Sequence, residues 1–125
     1  MKRGFSLIEL IVVVAIMAII SAVIIPSISG TRDAALEQRA IAAAEALNMA
    51  QSRYRLEVGL TAWDAIASDA DRYKVLKPYL EYADDDLTKF KANRLGGVYS
   101  VSFSDSKDGV MQRVTLKKGA DTITY

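Results

Sequence analysis

The sequence predicts an α+β chain: one long N-terminal α-helix, half membrane-type and half amphipathic, followed by a small head of short helices and a three-stranded antiparallel sheet. Three observations carry this prediction. Residues 5–25 form an almost unbroken apolar run, residues 31–58 space their apolar side chains at helical intervals, and three late stretches alternate apolar with polar side chains. The 125 residues leave room for one small domain and no second. Sixteen Lys and Arg against fifteen Asp and Glu give no net field to draw nucleic acid or an acidic ligand. With neither Cys nor His, thiolate nucleophiles, disulfides, zinc sites and the commonest general base are excluded. No nucleophile–base pair or phosphate loop can be assembled from what remains, so an enzyme is disfavoured.

The apolar run, FSLIELIVVVAIMAIISAVII, is 21 residues long. As a helix it rises about 31 Å, enough for a hydrocarbon core of about 30 Å. Its fourteen Phe, Leu, Ile and Val residues favour insertion by about 6 kcal/mol, against a cost of about 3 kcal/mol for the one carboxylate, Glu9. Lys2 and Arg3 precede the run and no charge follows until Arg32, which places the N-terminus in the cytoplasm and the remaining hundred residues across the membrane. A plain anchor or a secretory signal also reads from this pattern, and Ser27-Ile28-Ser29 before Gly30 offers small residues for a signal-peptidase cut. Two features fit that reading poorly. The run exceeds an ordinary signal core, and an ionisable residue at membrane depth marks a functional site that needs a partner.

The local string Arg3-Gly4-Phe5-Ser6-Leu7-Ile8-Glu9-Leu10 resembles the N-terminus of type IV pilins and type II secretion pseudopilins. A basic leader ending in Gly4, then Phe5, an acid at Glu9, and a long apolar stretch closed by Pro26 coincide in one place. The resemblance is close over residues 1–30 and looser to Gly59. It implies a leader at 1–4, an assembly helix at 5–25, an amphipathic half-helix at 26–58 and a head at 59–125. It further implies that a prepilin peptidase cuts between Gly4 and Phe5 and methylates the new amine of Phe5. Glu9 then answers that amine in a neighbouring subunit. The physics agrees, because either charge alone is costly in a low-dielectric bundle and the pair is compensated. Within one helix the Phe5 amine also lies near Glu9, so self-pairing stays open. The implied partners are the peptidase, other copies or related pilin-like subunits, and an inner-membrane assembly platform. The implied location is the bacterial inner membrane in a single pass, with the head outside the cytoplasm, and then a filament. The short Cys-free head favours a secretion pseudopilus, with a type IV pilus as the alternative. A membrane-anchored or secreted binding module that does not polymerise is a further alternative.

Pro26 to Gly30 suits a helix kink, since proline lacks its amide hydrogen and clashes with the preceding turn. From 31 to 58, Leu36, Ala40, Ala43, Leu47, Ala50, Tyr54 and Val58 recur at steps of three and four and predict one packing stripe, with Gly59 as the terminal cap. The head opens on Thr61 and Asp64, spaced for a capping box, with helices expected over 62–67 and 69–76, the second ended by Pro78. Residues 79–93 are ambiguous, and Asp84-Asp85-Asp86 suggests an exposed loop. Strands are expected over 98–104, 110–117 and 122–125, separated by turns at 105–109 and 118–121. The six Tyr and Trp63 read as core or contact residues. Related pseudopilins bind calcium through head carboxylates, which makes Asp84, Asp86, Asp105 and Asp108 candidates. Their spacing lacks the ligand alternation and closing Glu of an EF-hand, and the prevailing expectation is no metal and no cofactor. Lys117-Lys118 is too small a basic patch for DNA, and from Gly59 onward ten basic side chains balance ten acidic ones. Neither nucleic acid nor a small-molecule substrate is expected.

Overall fold

The computed structural model describes residues 4–125, the side chains of 24–29 excepted. Helix α1 (Leu7–Glu57) is followed by α2 (Leu60–Asp64), α3 (Asp69–Leu76), a 3-10 turn (Lys77–Tyr79) and α4 (Leu87–Arg94). Strands β1 (Tyr99–Ser102), β2 (Thr115–Lys118) and β3 (Asp121–Ile123) then form an antiparallel sheet in the order β1-β2-β3. The α+β arrangement expected from the sequence is the one observed. Two compact units divide the chain, Met1–Ala35 and Leu36–Tyr125.

In the first unit every large apolar side chain of α1 from Leu7 to Val23 is at least half exposed. Ser21, one of its few polar groups, donates its hydroxyl to the Met17 carbonyl at 2.7 Å and so satisfies itself within the helix. Among the described residues no helix is long and apolar enough to cross a membrane. The described part of the run, 7–23, rises only about 25 Å. The span expected over 5–25 ends on residues 24 and 25, which with the kink expected at Pro26 lie outside the described side chains.

The second unit is built on the amphipathic face of α1. Ala40, Ala44, Leu47, Ala50 and Tyr54 are buried there against Trp63, Tyr73, Leu76, Phe90, Val101, Phe103, Val114 and Leu116. Alanine at three of these turns lets the head approach the helix backbone closely while favouring helix intrinsically. The expected stripe holds in its middle and fails at its ends. Leu36 and Val58 are exposed, and Ala44 rather than Ala43 is fully buried, because the buried core under the head runs along α1 from Ala40 to Tyr54. Gly59 ends the helix as expected: its φ is 107° and its N–H reaches back to the Tyr54 carbonyl.

The head departs from expectation where tertiary bonds capture the backbone. The capping box at Thr61 does not form. Helix α2 starts at Leu60 behind Gly59 with no side-chain cap, and the Asp64 carboxylate instead accepts from the Ser106 N–H at 2.7 Å and from the Ser106 hydroxyl. Helix α3 matches its expected range, with Ser68 accepting from the Asp71 N–H as its N-cap. The acidic run lies in an exposed loop, as expected, but its carboxylates are engaged: Asp86 caps α4 by accepting from the Lys89 N–H at 2.8 Å, Asp85 pairs with Lys89, and Asp84 accepts from Asn93.

The first two strands are shorter than expected. Beyond β1 the Phe103 N–H goes to Asp69, the Ser104 carbonyl to the Trp63 indole N–H and the Ser106 N–H to Asp64. Ahead of β2 the Val114 N–H goes to Asn48 Oδ1 at 2.7 Å. These backbone groups bond to side chains of α1, α2 and α3, so no ladder partner is left for them. Val110 consequently points to solvent while Met111 packs on the core, the reverse of a continuous strand. Asp108 and Gly109, both at positive φ, make a tight turn closed by paired Lys107–Val110 hydrogen bonds. Strand β3 is displaced to start at Asp121, because Gly119 at φ 63° begins a two-residue turn that pairs Lys118 with Asp121.

The Ser106 hydrogen bonds hold the Asp64 carboxyl below the usual carboxylate range. A carboxyl depressed on folding contributes stability above its unfolded value, near pH 4, and loses it as pH falls through the folded value. The melting temperature of the head is expected to drop between pH 5 and about pH 3. In Asp64→Asn that part of the drop disappears, and a thermal melt at each pH checks it.

Candidate functional site: the N-terminal edge of the long helix

The residues singled out by the sequence lie together at the start of α1. Phe5 precedes the helix and is 89% exposed. Leu7, where α1 begins, follows Ser6, which sits at the N-cap position. The Glu9 carboxylate accepts from the Ser6 N–H at 3.0 Å, and the Ser6 hydroxyl accepts from the Glu9 N–H at 3.3 Å. This is a reciprocal capping box. A carboxylate in the first turn also faces the positive end of the helix dipole. Ser6 was missed as a site residue, although its Ser-x-x-Glu spacing is the signal that finds it. Phe5 and Glu9 line one open recess with Ile8, Val12 and Val13, so the acid stands at the edge of an otherwise apolar surface. Gly4 has open space around its Cα. With Phe5 joined to Gly4, its nitrogen is an amide and carries no charge, and Glu9 bonds to Ser6.

The four acids named as calcium candidates are not brought together. Asp105 pairs with Arg72, which is buried and also stacks over Trp63 at 5.1 Å. Asp84 lies 3.6 Å from Arg94, Asp86 caps α4, and Asp108 occupies the tight turn. Among the described residues no group of three or more acids could hold a metal ion.

An all-round apolar helix, capped by Ser6 and Glu9 immediately behind a Gly–Phe junction, defines a prepilin-type N-terminus. Residues 1–25 match the family model of the prokaryotic N-terminal methylation motif. The chain is similar to type II secretion system core protein G of Klebsiella michiganensis, with 36% identity over 56 residues, or 45% of this chain and 39% of the relative. It is similar also to core protein G of Escherichia coli K12, at 32% over 56 residues with the same coverage. The chain thus aligns with well under half the length of these relatives. No solved structure matches. The resemblance read from Arg3 to Leu10 is borne out, and the long helix with its short helices and meander is a pilin-like arrangement.

Proposed function

We propose that this chain is a structural subunit of a type II secretion pseudopilus, polymerised through its N-terminal helix. One observation carries the reading: the Gly4–Phe5 junction and Glu9 coincide at the edge of a helical segment, Leu7 to Val23, whose large apolar side chains are all exposed. An all-round apolar helix requires lipid or other helices around it. In the proposed cycle the helix first lies in the inner membrane, N-terminus inside, with the head outside the cytoplasm. A prepilin peptidase cuts after Gly4 and methylates Phe5, and an assembly platform lifts the subunit into a stack of copies or related subunits. Similarity to core protein G supports the secretion branch of this family.

Cutting after Gly4 changes the charge balance at one place. It creates an ammonium group on Phe5, four residues from a carboxylate already held at the helix edge by Ser6. The neighbour's amine offers Glu9 a charged donor, and a hydrogen bond to a charged group is roughly twice as strong as a neutral one. The head takes no part in this step and supplies the outer surface of the filament. Mass spectrometry of the mature protein tests the reading: the expected N-terminus is N-methylated Phe5. Retention of Met1, or a start near Gly30, identifies a non-polymerising anchored or secreted module instead.

A further inference from the structure

Away from its buried face, the part of α1 in the second unit carries two uncovered flanks. On the first, Ala46, Met49 and Arg53 step by three and four residues and border a recess of about 130 Å³ against residues 79–81 of the head. Met49 is 63% exposed there. Glu81 lines the same recess, yet no ion pair or hydrogen bond engages Arg53 among the described residues. On the second flank Gln38, Ile41 and Glu45 repeat the steps of three and four. Gln38 and Glu45 are exposed and Ile41 is half-buried. Glu45 also has no ion pair or hydrogen bond among the described residues. A single copy thus leaves two opposite charges and a large apolar side chain unmatched on one helix.

The two stripes correspond position for position. Ala46 lies eight residues after Gln38, Met49 eight after Ile41, and Arg53 eight after Glu45. Eight residues of helix rise about 12 Å and turn about 80° beyond two full turns, so the stripes face adjacent directions and one copy can use both. From this correspondence we infer that the flanks are the two halves of an interface between copies of this chain. In it, α1 of one copy lies parallel to α1 of the next, displaced by about 12 Å. In that register Glu45 meets Arg53, Ile41 meets Met49, and Ala46 leaves room for the Gln38 side chain at the 8–10 Å spacing of packed helices. The shared direction rests on the filament reading, in which all copies leave one membrane the same way round. Charge sets the order, because like flanks repel and unlike flanks attract. Such a heterologous contact does not close after two copies, and it repeats along an open stack.

The chain holds no cysteine, so introduced thiols report alone. Two differently tagged full-length copies, Gln38→Cys and Ala46→Cys, are expressed together during active export, oxidised, and recovered in sheared filaments. A mixed disulfide joining the two tags is expected, since facing helix positions bring their Cα atoms within the roughly 7 Å that a disulfide spans. Met49→Cys alone is expected to give no dimer. A dimer there identifies an antiparallel pair with Met49 on its axis, in which Glu45 also meets Arg53, and overturns the register. Glu45→Arg in the Gln38→Cys copy is expected to lower the mixed disulfide about fivefold, the size of an exposed ion pair. Adding Arg53→Glu to the Ala46→Cys copy is expected to restore it. A loss that this second change does not restore overturns the charge match and assigns Glu45 to the fold. Filaments without a mixed disulfide overturn the interface and leave the filament reading standing. If the cysteine-free chain itself never enters filaments, the filament reading falls and takes this interface with it.

Discussion

Glu9→Gln is expected to leave membrane insertion unchanged and to lower filament yield by roughly two to three orders of magnitude. Removing one partner of a buried ion pair costs about 3–5 kcal/mol, because the remaining charge is stranded in a low-dielectric bundle. In the proposed assembly the stranded charge is the Phe5 amine of the neighbouring subunit. Glutamine is the informative replacement because the capping box survives it. A Gln at this position still bonds the N–H of the cap residue, so the Ser6–Glu9 geometry persists while the charge goes. Ser6→Ala does the converse, keeping the charge and losing the cap hydroxyl, at about 1 kcal/mol. It is therefore expected to lower filament yield by no more than about tenfold. Sheared filaments and membrane fractions from the two variants are compared by immunoblot. Wild-type filament yield from Glu9→Gln refutes the pairing, and a loss confined to Ser6→Ala then assigns Glu9 to helix capping alone.

Two Ser/Thr-x-x-acid strings show what local sequence does and does not settle. Ser6–Glu9 closes on itself because nothing else competes at a solvent-exposed helix start. Thr61–Asp64 has the same spacing and fails, because Asp64 finds the Ser106 N–H and hydroxyl, 42 residues away. Patterns whose outcome depended on neighbours in the chain were legible: the apolar run, α3 between Ser68 and Pro78, the Gly59 terminus and the alternation of Tyr99, Val101 and Phe103. Helix α4 was legible in principle, since Asp86 precedes Leu87 and Phe90 at helical spacing with Lys91 and Arg94 closing the last turn. Reading the acidic run only as a solvated loop concealed its cap. Strand ends were not legible, because the bonds that replace the ladder arrive from Asn48, Trp63 and Asp69. Nor was Gln51. A glutamine on an amphipathic helix reads as surface, and only the head packed over it turns its amide into a buried donor.

Trp63→Ala is expected to cost the second unit about 3–5 kcal/mol, a large part of the 5–15 kcal/mol that stabilises a typical domain. Trp63 is fully buried on a helix of only five residues. So short a helix has no stability of its own, and tertiary contacts must hold it. Its ring meets Tyr54 of α1 edge-on at 5.8 Å and Phe103 at 5.7 Å, and lies beneath the Arg72 guanidinium. Its indole N–H donates to the Ser104 carbonyl at 3.0 Å. The side chain thus joins α1, α3 and the end of β1, and truncation opens a cavity bordered by all three. For a unit of this size the loss lowers the melting temperature by roughly 15–30 °C. Trp63→Phe separates the contributions: it keeps most of the ring contact and gives up the hydrogen bond, leaving the Ser104 carbonyl unpaired at about 1–3 kcal/mol. Thermal melts of the full chain in micelles, followed by near-UV circular dichroism, give both numbers. Limited proteolysis should then release the head of Trp63→Ala while residues 7–23 stay protected in the micelle, since that segment makes its own helix. If Trp63→Ala melts within a few degrees of the wild type, the head is held on α1 by Leu47, Tyr54 and the β2 side chains without the indole. The assignment of Trp63 as the joining residue then fails.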